Sequence, residues 1–506
     1  MLNTLTNSAS KQRPRPRPWP ALLLVILIAV AAATVGWIGY IEADDQFYVS
    51  AAVGWLTHFP FVGTNHWGLR HAIVLPIAAS FSLGGVRETT LILPITLYYL
   101  ALVILTFLVL ERISERTVAF WAAVMVALTP RFALGASLVV TDLAELFFEV
   151  SSFWAFYLAA QRGGTPRLLL LAGALAGLAW ITRETAVAFL AFYGILFLFG
   201  FGMPRMRYFW MALSFVAIVG ADTAYLWSTT GDWLYRYHVT LRGVASDNPL
   251  HHTGPERRDL IAASKYTRPF VVLFASHEFG LVNIMAVPAT IWLCTSRSID
   301  AGSRRLARVL ALLAIVWFLI LSYALIDRLW SAPRYQSVTG YCAALLLALW
   351  VAKIGFVRMP RLTACLTVAL IASNLLLTYL DNKDLLFGER LVVSLSEKTQ
   401  EPIYTDKATR FSASFLLDAA GTGERILTGA PPVGSLFFYS ESPRRPAEGD
   451  VDLAAIHKWQ LIEAFEEQPK VSARLLRAIG IERLLPDGLR LKLDPLPKKA
   501  LLYRVR

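Results

Sequence analysis

The chain has 506 residues, 56% of them hydrophobic and only 17% charged, with a net charge of +12 and a mean hydropathy of +0.52. A soluble protein of this length carries about a quarter charged residues, so the composition excludes an ordinary soluble enzyme and indicates a polytopic helical membrane protein whose first partner is the lipid bilayer. The positive charge does not point to nucleic acid, because much of it lies in short loops between apolar runs, as the positive-inside rule expects.

A basic tail, residues 1–19 with K-Q-R-P-R-P-R, precedes the first apolar run. Runs near the roughly 20 residues that cross a bilayer predict about eleven spans: 20–40, 90–110, 117–130, 143–160, 168–182, 186–202, 208–227, 271–294, 309–326, 337–352 and 362–380. The apolar stretch 72–83 is too short to span and is expected to lie in the interface or re-enter. With a cytoplasmic N-terminus, the inner loops E-R-I-S-E-R, Q-R-G-G-T-P-R, M-P-R-M-R, S-R-S-I-D-A-G-S-R-R-L-A-R and K-I-G-F-V-R-M-P-R each carry at least two Lys or Arg. Two outer loops, 41–89 and 228–270, are then long, and everything after the last span lies outside. The spans and loops 20–380 form the transmembrane domain. Residues 381–506 hold no spanning run. E-P-I-Y-T-D, R-I-L-T-G, S-L-F-F-Y-S and A-L-L-Y-R-V read as strands, and Ala413–Ala420 and Leu453–Ala478 as helices, the latter broken at Pro469. This alternation predicts a small C-terminal α/β domain.

The ionisable residues outside the basic loops gather at the outer ends of spans. They include Glu42, Asp44, Asp45, His66, Arg70, His71, Glu88, Arg131, Asp142, Arg183, Glu184, His277, Glu278, Asp327, Arg328 and Arg334. Ionisable groups at membrane depth are functional candidates. Carboxylates hold protons or metals, and arginines grip phosphate; together they suit chemistry on an anionic lipid-linked substrate. Three acids within four positions, in I-E-A-D-D-Q-F-Y at 41–48, mark the first membrane exit. They stand beside Q-F-Y-V-S-A-A-V-G-W-L, an amphipathic stretch fit to lie on the membrane. Cys294, Cys342 and Cys365 show no zinc or disulfide spacing. His66 and His71, five apart, fit neither i,i+3 nor i,i+4 on a helix, so no metal ligands are assigned and no cofactor is required, though a divalent ion bridging carboxylate and phosphate stays open.

In order along residues 20–355, five segments resemble the GT-C superfamily of integral-membrane glycosyltransferases. The likeness is to its protein mannosyltransferase, aminoarabinose transferase and galacturonosyltransferase-like members. E-A-D-D-Q-F-Y-V-S-A-A stands at the family's acidic first outer loop. G-V-R-E-T-T-L-I-L-P resembles the segment whose acid, here Glu88, enters the second full span. L-T-P-R-F-A-L-G-A-S-L-V-V-T-D resembles the loop ending in an aspartate, here Asp142. G-L-A-W-I-T-R-E-T-A places Arg183, and A-P-R-Y-Q-S-V-T-G-Y places Arg334 and Tyr335. The family's prolines before its second helix are missing from T-N-H-W-G-L-R-H.

The resemblance implies inverting transfer of a monosaccharide from a polyprenyl-phosphate donor to an extracytoplasmic glycan, lipid or protein acceptor of the cell envelope. It also implies a bacterial inner membrane, with the C-terminal domain in the periplasm. The reaction needs a carboxylate base, Asp44 or Asp45 with Asp44 preferred, and cations for the leaving phosphate. Glu88 and Asp142 are expected to orient acceptor or base. Glu42, His66, Arg70, Arg183, Arg334 and Tyr335 are expected to bind substrate. The competing class is a transporter or flippase of a lipid-linked saccharide. It is disfavoured because no internal repeat is found and the charges sit at the membrane edge rather than its midplane.

Overall fold

The computed structural model describes residues 19–246, 266–324, 332–441, 458–480 and 495–506, together with Ile456, Arg490 and Leu493. The basic tail 1–18, the H-H-T-G-P-E-R-R-D stretch of the 228–270 loop, and Asp327 and Arg328 lie outside the described residues.

Helices α1 (Trp19–Val35), α2 (Asp44–Thr57), α3 (His71–Gly84), α4 (Glu88–Ile113), α5 (Arg116–Leu128), α6 (Pro130–Gly135) and α7 (Thr141–Gln161) build the first half of the bundle. They are followed by α8 (Pro166–Thr182), α9 (Val187–Phe199), α10 (Tyr208–Thr230), α11 (Tyr235–Ser246), α12 (Arg268–Ala275), α13 (Val282–Thr295), α14 (Ala301–Leu319), α15 (Ser337–Trp350) and α16 (Pro360–Asp381). Every expected span therefore carries an apolar helix. Prolines open α8, α12 and α16, where a missing N–H leaves no bond unmade. The short stretch after Arg70 is the fourteen-residue helix α3, and the amphipathic stretch after the acidic loop is α2.

One expected span is not continuous. The 271–294 run breaks into α12 and α13, because Ser276 takes an extended backbone and Gly280 a left-handed one at φ +56°. The break presents its own groups: the carbonyl of Glu278 accepts from Arg131 N at 2.7 Å.

Helices α7 and α15 are buried almost all round and form the centre, while α10 and α16 bury one edge and leave residues such as Val216, Phe209 and Val368 exposed in an apolar belt. The turns α4–α5, α13–α14 and α15–α16 meet at one end, where Lys353 bridges Glu115 at 2.5 Å and Asp300 at 3.4 Å. These are the basic loops. The acidic loop, the α6 turn, the α8–α9 turn and the α12–α13 break meet at the other end.

The C-terminal part adds α17 (Phe387–Lys398), α18 (Lys407–Ser412), α19 (Ser414–Ala420) and α20 (Val471–Ile479) to strands β1 (Ile403–Thr405), β2 (Ile426–Leu427), β3 (Leu436–Ser440), β4 (Gln460–Glu466) and β5 (Lys499–Arg504). The sheet order is β2-β1-β3-β5-β4. β1 is parallel to β2 and β3, and β5 is antiparallel to β3 and β4. Val392, Ile403, Leu417 and Phe438 pack between helices and sheet. The four strands expected from sequence are present. Within the helix expected over Leu453–Ala478, whose residues 453–455 and 457 lie outside the described ones, Q-L-I-E-A-F-E is a strand, because pairing with β5 along its length outweighs the helix preference of Leu, Glu and Ala.

Candidate active site

The two aspartates of the acidic loop have different surroundings. Asp45 is 1% exposed and its carboxylate folds back on its own loop, accepting from Ile41 N at 2.6 Å, Ala43 N at 2.5 Å and Gln46 N at 3.1 Å. Burial raises its pKa to about 6 against the pull of these three N–H donors. Asp44 is half-buried and makes no hydrogen bond or ion pair with any described residue.

Asp44 and Tyr48 stand four residues apart on one face of α2. The Tyr48 hydroxyl accepts from Arg70 Nη1 at 2.6 Å, and the charges acting on it are those of Arg70, Asp44 and Arg183. Arg70 is held at the start of α3 and forms no ion pair within the described residues; its Nε is buried without a partner. Arg183, at the extended turn between α8 and α9, donates to Asp142 Oδ1 at 2.7 Å, faces Glu145 Oε2 at 3.5 Å and stacks over the Tyr335 ring at 4.5 Å. Arg131 holds the other Asp142 oxygen at 2.5 Å and Glu278 at 2.8 Å. Arg334 is exposed, lies over Tyr335 at 5.2 Å and adds its charge near Asp142, with no carboxylate in ion-pair reach among the described residues. Acidic and guanidinium groups from α2, α3, α7, the α8–α9 turn and the segment before α15 thus converge.

Glu88, Glu42 and His66 lie apart from this cluster. Glu88 is clamped by Arg390 of α17 through both oxygens, at 2.6 and 2.8 Å, and accepts from Tyr40 N at 2.8 Å. Glu42 is 2% exposed and accepts from Ser412 Oγ at 3.2 Å. His66 lies tilted against Trp67, which stacks on Phe47. His71 belongs to a second polar group, with Asp222 at 2.7 Å and Arg236 bound to the same aspartate at 3.0 Å.

Sequence reasoning missed Tyr48, Glu145, Glu149 and Thr185. Glu145 accepts from the Thr185 hydroxyl, and Glu149 is 1% exposed with one oxygen unpartnered. The signal was present: Asp142, Glu145 and Glu149 are spaced i, i+3, i+7 on one face of α7. Among the described residues no group of three or more His, Cys, Asp and Glu is placed to hold a metal ion.

Residues 71–227 match the family described as dolichyl-phosphate-mannose-protein mannosyltransferase. No curated protein matches the chain as a whole sequence. Among solved structures, ArnT from Cupriavidus metallidurans bound to undecaprenyl phosphate is similar over 83% of this chain and 93% of its own, with a TM-score of 0.54 at 11% identity. The Archaeoglobus fulgidus oligosaccharyltransferase in complex with zinc and sulfate is similar over 80% of this chain, with a TM-score of 0.51 at 13% identity. The chain spans 62% of that protein's length. It is a membrane protein of the GT-C fold, as the order of its sequence motifs implied.

Proposed function

We propose that this chain is a glycosyltransferase of the extracytoplasmic membrane face. It moves a monosaccharide from a polyprenyl-phosphate donor to a glycan, lipid or protein acceptor, with inversion at the anomeric carbon. The observation that carries the reading lies at the end of the bundle opposite the basic loops: Asp44, unengaged by any described residue, shares a face of α2 with Tyr48, whose hydroxyl accepts from Arg70. The family match over 71–227 supports the same class.

Asp44 is the base. It takes the acceptor's hydroxyl proton as the new C1–O bond forms, an effect worth roughly 10²–10⁴-fold. The C1–O bond to phosphate breaks on the opposite face, and its electron pair leaves with the polyprenyl phosphate. Arg70 and Arg334, which pair with no carboxylate among the described residues, neutralise that phosphate. Arg183 and Arg131 are already engaged by Asp142 and Glu278, so their role is to hold the wall of the pocket. Were a divalent ion bound here, Asp44 would be its carboxylate ligand and the ion would supply positive charge against the leaving phosphate. A groove of about 330 Å³ between α12, α13, α14 and α15 is lined by Phe270, Ile291, Ile315, Phe318 and Ala343 and includes Thr339. Thr339 bonds Gln336, two residues beyond Arg334, so an isoprenoid in the groove would bring its phosphate toward Arg334.

The test is turnover without a sealed compartment. Purified protein in detergent is incubated with a panel of undecaprenyl-phosphate-linked hexoses, pentoses and amino sugars plus bacterial envelope extract. The expected product is free undecaprenyl phosphate with the sugar on an acceptor. Movement of the lipid across proteoliposomes with no bond cleaved in any of these mixtures would support the flippase reading instead.

A further inference from the structure

The C-terminal domain touches the bundle at the loop that carries Asp44. Arg390 from α17 binds both oxygens of Glu88, and its Nη2 also donates to the Tyr40 carbonyl at 3.3 Å. Ser412 at the end of α18 donates to Glu42, and Phe415 of α19 packs its ring 4.7 Å from that of Tyr40. Three helices of one domain therefore hold residues 40–42, immediately before the aspartates.

The loop conforms to this grip at some cost. Gly39 sits at φ +86°, and a Cβ there would collide with Glu88 Oε1 and crowd Arg390 Nη2. Glu42 is the one non-glycine residue among those described at positive φ, +53°, a conformation that persists only where surroundings over-determine it. Asp45 then closes the loop by accepting from Ile41 and Ala43. The connection runs from Arg390 to Tyr40 and Glu88, through residues 41–43 to Asp45, and so to Asp44.

We infer that the C-terminal domain sets the geometry of the acidic loop, with Arg390 as its positioning residue, so that the domain is a working part of the active site rather than an appendage. The inference rests on the reading of Asp44 as the base. Guanidinium suits the task because its planar fork meets the two Glu88 oxygens with two separate nitrogens while one of them also reaches the Tyr40 carbonyl, a geometry that the single nitrogen of a lysine matches poorly. A misplacement of about 1 Å at a reacting group costs roughly 10²-fold in rate.

The experiment uses the full chain in nanodiscs, with Arg390→Gln, Arg390→Lys, Glu88→Gln and Arg504→Ala. Arg504 pairs with Glu401 at 3.3 Å on the sheet and serves as the control. Amide exchange across 39–46 should rise in Arg390→Gln and Glu88→Gln, less in Arg390→Lys, and not in Arg504→Ala. With the undecaprenyl-phosphate-linked sugar that turns over, kcat should fall roughly 10- to 100-fold in Arg390→Gln at nearly unchanged KM, with partial rescue in Arg390→Lys. Wild-type exchange over 39–46 in Arg390→Gln overturns the inference whether or not a sugar has been found. Wild-type kcat in Arg390→Gln alongside an inactive Asp44→Asn overturns the inference and leaves the proposed function standing. Full turnover in Asp44→Asn overturns the proposed function itself.

Discussion

Asp44 and Asp45 are adjacent in sequence and differ in their surroundings. Successive residues on a helix point about 100° apart, so one side chain turns back to accept three loop N–H groups while the other shares the face of Tyr48, whose hydroxyl accepts from Arg70. Asp44→Asn should abolish transfer, by roughly 10²–10⁴-fold, with the melting temperature in detergent unchanged. Asp45→Asn should lose less activity and change the pH dependence of stability. Asp45 has its folded pKa raised, to about 6, by burial. Its stabilising contribution is therefore complete below about pH 4, the ordinary carboxylate value, and declines as the pH rises through 6. The Asn variant should flatten the curve of melting temperature against pH between 4 and 7; a curve that keeps its wild-type shape would show that Asp45 does not titrate there.

Helix α7 shows how an element turns spacing into a site. Its acids at 142, 145 and 149 share a face, and that face meets the α8–α9 turn, where Arg183 and Thr185 are supplied. The turn is placed by how closely α8 packs on α10. Gly173 and Gly177 are four apart, and a Cβ at Gly173 would run into the Met211 carbonyl. Small residues at this spacing let two helices approach in a membrane. Gly173→Leu should therefore lower the melting temperature, with overpacking of about 1–3 kcal/mol or more, and weaken activity through Arg183. Gly194 on α9 has open space around it, so Gly194→Ala should be neutral or stabilising by roughly 0.5–1 kcal/mol. Equal effects of the two substitutions would rule out the close-packing account.

At the scale of the molecule, the two ends of the bundle differ in charge pattern, and this orients it. We expect the basic end in the cytoplasm and the C-terminal domain outside. In a background without the three native cysteines, a cysteine at exposed Glu424 should react with a membrane-impermeant maleimide on intact cells. One at exposed Arg361 should react only after the membrane is opened. The reverse pattern would place the acidic end in the cytoplasm and end the extracytoplasmic reading.

Hydropathy was enough to place an apolar helix in every expected span, six of them among the described residues long and apolar enough to cross a membrane, because lipid demands that backbone bonds be closed within a helix whatever its neighbours. The acidic exit loop, its helix α2 and four of the five strands were legible for the same reason, being local patterns. Pairing across the chain was not. That Glu88 binds Arg390, 302 residues away, that Arg183 is held by Asp142, and that Asp45 rather than Asp44 closes the loop all depend on where side chains from distant segments point. The sequence alone determined a membrane bundle with basic loops at one end and acids mixed with arginines at the other. Only the tertiary structure decided which of those charges neutralise one another and which remain open to a substrate, because an ion pair depends on distances of a few ångströms that no periodicity encodes.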